Sequence, residues 1–166
     1  MNPQPDSQLY SRTICADPSL PQLLYNASNH HFWHRRDLRT YDNAALYHAL
    51  AATKGSTVLP IFIFDRHILD PLTSRTDARV EFIHRSVLEL GAAYAAQGSA
   101  LRVFYGHPET VWAQLLQQHP ELQAVYTNAD YEPYALNRDQ AIRQLLDPLR
   151  ISFYTYKITS SLKLMR

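Results

Sequence analysis

Thr57 to Phe64 reads TVLPIFIF, an almost unbroken run of apolar, β-branched and aromatic residues. A strand with one wet face alternates apolar and polar residues. A continuous run marks a strand covered on both faces, as in a parallel sheet with helices above and below. Pro60 lies inside the run and lacks the N–H that a ladder needs, so a bulge or an irregular start is expected there.

Outward from this strand the same alternation repeats. On the amino-terminal side, His30 to His34 reads as a short strand whose polar content makes it a poor central one. Asp42 is the expected N-cap of a helix carrying Ala44, Ala45, Leu46, Ala49 and Leu50, which Gly55 ends. On the other side, Asp65 to Thr76 reads as a loop. Val80, Ile83, Val87, Leu90 and Tyr94 then follow the 3-4 spacing of one helical face, stopped by Gly98. Ala100 to Tyr105 is a third strand, and Pro108 opens a helix with Val111, Leu115 and Leu116. Gln123 to Thr127 is the fourth strand, Pro133 opens a helix through Ile142, Leu145 and Leu146, and Arg150 to Tyr156 is the fifth strand.

Strand and helix thus alternate about five times with short connections. The pattern predicts an α/β fold, an open, five-stranded, mostly parallel, doubly wound, Rossmann-like sheet over residues 30–157. Residues 1–29, with Pro3, Pro5, Pro18 and Pro21 among polar residues, read as a poorly structured arm, and residues 158–166 as a divergent tail. Ligands of such sheets sit beyond the carboxyl ends of the strands. The loops to watch therefore carry Arg35 to Arg39, Asp65 to Thr76, and Asn128 to Tyr134.

Composition narrows the function classes. With 16 Lys+Arg against 15 Asp+Glu, a net charge of +1 supplies no global field toward nucleic acid or membrane. One cysteine, Cys15, excludes an internal disulfide and suits a reducing compartment. Without an apolar run of membrane-spanning length or a secretion signal, the chain reads as cytoplasmic. A dinucleotide fold needs a Gly-rich turn after its first strand, because only glycine lets backbone approach a pyrophosphate closely. Here that turn is His34-Arg35-Arg36-Asp37-Leu38-Arg39, and the chain has 4 glycines in all. The 8 histidines lack paired ligand spacing, so no metal site is expected.

Arg35, Arg36, Asp37 and Arg39 have two readings of equal standing. They lock the first loop by internal salt bridges, or they contact a ligand. Asp130 and Glu132 on the fourth loop are the natural partners in the first case. They serve equally as capping carboxylates for the helix opened by Pro133.

Phe32 to Asn43 (FWHRRDLRTYDN), Leu59 to Leu69 (LPIFIFDRHIL), Asp77 to Val80 and Asn128 to Asp139 (NADYEPYALNRD) occur in order along the chain. Together they closely resemble the amino-terminal α/β domain of the DNA photolyase and cryptochrome family, most of all class I cyclobutane pyrimidine dimer photolyases. The resemblance covers about residues 31–157. It implies a flavin enzyme that splits pyrimidine dimers with blue light, in which the FAD pocket and the DNA groove belong to a helical domain following the α/β domain. That helical domain is absent from this sequence, so a truncated or fragmentary form is expected that neither holds FAD, binds DNA directly, nor repairs dimers alone. A helical FAD-binding domain supplied separately would be its partner.

The resemblance further implies an antenna chromophore, either the deazaflavin 8-HDF or the folate methenyltetrahydrofolate. In deazaflavin-binding relatives the contacts resemble Arg79, Asp130 and Glu132. In folate-binding relatives an Asn-Glu pair stands where this chain has Tyr134 and Ala135, so 8-HDF is the expected ligand. No catalytic residue is assigned, and Arg35, Arg36, Asp37 and Arg39 are assigned to the loop scaffold. Two other readings remain: a nucleotide-binding, hydrolase-like α/β domain, and a non-functional remnant of a photolyase.

Overall fold

A computed structural model describes residues 29–54, 57–72 and 78–157. The proposed arm up to residue 28, the helix stop at Gly55, the segment 73–77 and the tail 158–166 lie outside the described residues. Five strands form one sheet: β1 (His30–His34), β2 (Val58–Asp65), β3 (Arg102–Gly106), β4 (Ala124–Asn128) and β5 (Ser152–Tyr156). All pairs are parallel, in the order β3-β2-β1-β4-β5. The helices are α1 (Ala44–Ala52), α2 (Arg66–Leu69), α3 (Ala78–Ala96), α4 (Pro108–Gln118) and α5 (Pro133–Leu146), the last followed by a 3-10 turn over Asp147–Leu149.

The sheet has two apolar faces, and β2 supplies both. Phe62 and Phe64 join Phe32, Ala45, Leu46, Val87, Leu90 and Tyr94 under α1 and α3. Leu59, Ile61 and Ile63 join Trp33, Trp112, Leu115, Ile142 and Leu146 under α4 and α5. This is the period-2 consequence of an unbroken apolar strand, each successive side chain feeding the opposite layer.

Four expectations are corrected. The polar β1 is the central strand, flanked by β2 and β4, and both His31 and His34 are fully buried. His34 is accommodated because both ring nitrogens are bonded, to the Asp37 carbonyl at 2.9 Å and the Tyr94 hydroxyl at 2.8 Å. A carbonyl only accepts, so Nδ1 carries the proton and Tyr94 donates to Nε2. Pro60 causes no bulge: it sits in register opposite Phe32, and pairing with β3 begins only at Ile61, so its missing N–H costs little. The N-cap of α1 is Asn43, whose side chain accepts from the Leu46 N–H, while Asp42 adopts φ 47 one residue earlier. The segment after β2 is no plain loop, since Asp65 caps the single-turn α2 by accepting from the His67 N–H.

Asn43 also holds the first loop. Its Nδ2 donates to the Asp37 carboxylate at 2.7 Å, and its Oδ1 accepts from Asn128 Nδ2 at 2.9 Å. Asn43→Ala removes a cap and three further bonds, one of them to the Arg39 carbonyl, and is expected to lower stability by about 2 kcal/mol. Urea unfolding checks this: the midpoint falls with the slope unchanged. A midpoint equal to the wild type's contradicts it.

Candidate functional site

Strand order reverses between β1 and β4, because the chain steps from β1 outward through β2 and β3, then returns to the other side of β1. A crevice opens at such a point. The β1–β4 ladder covers only His30 to Phe32, against five pairs for β1–β2. Beyond it, side chains stitch the strands: Thr127 Oγ1 donates to the Trp33 carbonyl at 3.0 Å, and Arg35 donates to the Asn128 carbonyl.

Arg35 is buried, with side-chain exposure of 5%, and its Nη1 is paired with Asp139 Oδ1 at 2.5 Å. Burial pushes its pKa down and Asp139 opposes that push. An arginine remains charged through such a shift. The sequence offered Asp37, Asp130 and Glu132 as partners for this arginine, and the structure supplies Asp139 from α5 instead. Asp37 is bonded to Asn43 and Asn128. Arg36 points outward, donating to Glu132 Oε1 at 2.7 Å and lying 3.7 Å from Asp130. Arg39 closes on Asp42, through its carbonyl at 3.1 Å and its carboxylate at 3.6 Å.

Above these groups lies a cavity of about 420 Å³. Its walls are aromatic and aliphatic: Trp33 from β1, Phe62 and Phe64 from β2, Ile68 and Leu69 from α2, Phe82 and Ile83 from α3. Arg36, Asp130 and Glu132 line it as one group of mutual ion pairs, and Asp65, Tyr134 and Arg138 as another polar group. A mostly apolar pocket of this size with a few convergent polar groups suits a small planar ligand. Asp65 Oδ2 accepts from the Tyr134 hydroxyl. Tyr134 has its pKa pushed up, first by burial and then by this carboxylate, so its proton stays on the phenol.

Of the residues singled out from the sequence, Asp130 and Glu132 line this cavity together with Arg35 and Arg36. Arg79 does not line it. That side chain is exposed in the first turn of α3, one turn before Phe82 and Ile83, which do. The sequence reading missed Asp65, Tyr134, Arg138 and Asp139. A signal for the last two existed. On α5, Ala135, Arg138, Asp139, Ile142 and Leu146 are all buried and share the 3-4 spacing of one face. Charged residues on the buried face of a helix ask for partners.

The family model described as DNA photolyase matches residues 31–159 of the sequence. The chain belongs to the DNA photolyase family. Deoxyribodipyrimidine photo-lyase of Synechococcus sp. is 37% identical over 115 residues, which are 69% of this chain and 23% of that protein. Cryptochrome-1 of Drosophila melanogaster is 33% identical over 136 residues, covering 73% of this chain and 23% of its own length. Among solved structures, an archaeal photolyase from Sulfolobus tokodaii superposes with a TM-score of 0.70 at 32% identity, over 82% of this chain and 32% of that one. Its description reports two FAD molecules and the implication of a novel light-harvesting cofactor. The photolyase-family chain described here thus spans about a quarter of the length of these two curated relatives. Among the described residues, no helix is long and apolar enough to cross a membrane.

Proposed function

We propose that this domain is the light-harvesting module of a photolyase-type protein and holds a planar antenna chromophore in the cavity at the ends of β1, β2 and β4. The observation that carries the reading is the cavity itself. It is an aromatic-walled slot of about 420 Å³, at the reversal of strand order, with carboxylates at its side. Its donor and acceptor set suits a tricyclic ring with a hydroxylated tail, as in 8-HDF. The apolar walls take the ring, and Asp130 and Glu132 accept from the tail hydroxyls. Arg79, exposed at the start of α3 outside the cavity wall, is assigned a contact with the part of the ligand that extends beyond the cavity. Once bound, the chromophore absorbs violet-blue light and passes the excitation to a flavin.

A folate fits less well. The positions that would hold its Asn-Glu pair are Tyr134, whose hydroxyl is committed to Asp65, and Ala135, which has no polar atom. FAD is a second candidate, favoured by the two FAD molecules of the archaeal relative. The dimer-splitting chemistry is assigned to a helical FAD-binding domain, as partner of this one, so the chain alone is expected to repair no dimers and to contact no DNA.

The test is purification of the chain in the presence of 8-HDF, of FAD and of methenyltetrahydrofolate, followed by absorption spectroscopy. Retained 8-HDF is expected at one per chain, with affinity lowered about 5- to 10-fold by Asp130→Asn or Arg79→Ala. Absence of any retained chromophore overturns the reading, and retention of FAD alone replaces the deazaflavin with a flavin.

A further inference from the structure

One aromatic ring of the cavity wall is pinned at both ends. Tyr134 starts in the first turn of α5, and its hydroxyl donates to Asp65 Oδ2 at the end of β2, 69 residues away in sequence. Both residues line the cavity. The side chain therefore bridges helix and strand as a bar. Burial and the Asp65 carboxylate both raise its pKa, so the phenol keeps the proton with which it holds Asp65. Asp65 is fixed in turn, because its other oxygen accepts from the His67 N–H at 2.9 Å. The Arg138 guanidinium, 5.6 Å from the centre of the Tyr134 ring, restrains that ring further.

The same ring neighbours a histidine pair that the cavity does not reach. The His67 ring centre lies 5.9 Å from that of Tyr134 and 4.3 Å from that of His107, yet neither histidine lines the cavity. His67 is open to water, with a side-chain exposure of 46%. Tyr134 thus belongs both to the cavity wall and to an aromatic contact that the wall shuts out.

Resting on the chromophore reading above, we infer that Tyr134 determines specificity by setting the length of planar ring that the cavity admits: three fused rings fit, and a fourth meets the phenol. The hydroxyl is committed to Asp65, so Tyr134 acts by the space it fills and not by a bond to the ligand. A flat, rigid ligand cannot bend round an obstacle, and a side chain tied down at both ends does not swing aside for it. Such a built-in clash discriminates between ligands that share the same polar groups.

Fluorescence titration of the whole chain with two probes tests this: 8-HDF, and a benzo-fused 8-HDF whose ring system is one ring longer. The wild type is expected to bind the longer probe at least about 10-fold more weakly than 8-HDF. Tyr134→Ala removes the bar and opens room toward His67. Affinity for the longer probe then rises about 10-fold, while that for 8-HDF falls severalfold with the loss of an aromatic wall. A gain for one probe beside a loss for the other is a change that a loosened fold would not produce. Tyr134→Phe keeps the ring and loses only the bond to Asp65, so it still prefers 8-HDF. Should the alanine variant lose its far-ultraviolet dichroism, Tyr134→Leu carries the test, with the same direction expected. If the wild type binds 8-HDF and the ratio of the two affinities moves by less than about twofold in the alanine or leucine variant, the role of Tyr134 is overturned while the chromophore reading stands. A wild type that binds both probes equally overturns it as well. If the wild type binds neither probe, the chromophore reading falls and this inference falls with it.

Discussion

Replacing Asp139 with alanine is expected to destabilise the domain by about 3–5 kcal/mol, the usual cost of removing one partner from a buried ion pair. Arg35 and Asp139 have side-chain exposures of 5% and 10%, and Arg138 Nε approaches the same carboxylate oxygen at 3.5 Å. Without Asp139, two buried guanidinium groups face each other with no anion between them. Their mutual repulsion is already felt, since Arg138 works with burial to lower the pKa of Arg35. Removing the cation instead is milder. In Arg35→Leu, Asp139 keeps Arg138 as a neighbour, and the expected loss is roughly half as large. Thermal unfolding followed by circular dichroism checks the order: Asp139→Ala melts about 10–20 °C below wild type, Arg35→Leu in between. Equal melting temperatures for wild type and Asp139→Ala would show that the pair contributes nothing to the fold. Asp139 contacts Arg35 and Arg138, which both line the cavity, so stability and any ligand affinity of the cavity are expected to fall together in this variant.

The alternation of strands and helices was legible because each element carries its own short-range signal. Phe62 and Phe64 on one face of β2, with Ile61 and Ile63 on the other, could be placed before any partner was known, as could the 3-4 spacing of α3. The central position of β1 was not. His31 and His34 look wrong for a buried strand until Tyr94 and the Asp37 carbonyl come to meet His34, and Tyr94 is 60 residues away in sequence. The cap of α1 was misplaced by one residue because Asp42 and Asn43 are equally good capping types. Only the φ of 47 at Asp42 separates them.

The site was legible by motif and illegible by contact. Asp130 and Glu132 were placed near the first loop because both loops lie beyond the carboxyl ends of strands and carboxylates are the natural partners of its arginines. The partner of Arg35, 104 residues away on α5, depends on how that helix is rotated against the sheet. Ile142 and Leu146 on the same helical face join the core that holds Trp33, Val125 and Phe153, and Arg138 on that face lies over Trp33. Two charges on the apolar face of α5 were the available clue. Their meaning emerges only when the aromatic residues are in place, since contact with the Trp33 and Tyr134 rings offsets part of the cost of taking the Arg138 guanidinium out of water.

Acid is expected to destabilise this domain progressively below about pH 6.5. His31, at the centre of the sheet, is fully buried between the rings of Trp112 and His119. Its pKa is lowered from 6.5 to about 3, first by burial and then by His119 and His30. At pH 5 the unfolded chain holds a proton at this position and the folded chain does not, so falling pH favours unfolding. The stability present above about pH 6.5 is lost progressively down to about pH 3. The loss is on the order of 2 kcal/mol at pH 5 and on the order of 3 kcal/mol at pH 4. Burial lowers His119, helped by Arg102, and lowers His34 against the opposing pull of Asp37, so both push in the same direction. His31→Leu fills a similar volume with no titrating group. Tryptophan fluorescence, reporting on the buried Trp33 and Trp112, reads the outcome across a pH series of urea titrations. The wild type loses stability with a slope near one proton or more between pH 6 and 4, and the variant's slope is smaller by about one proton. Parallel curves for the two proteins would place the acid sensitivity away from His31.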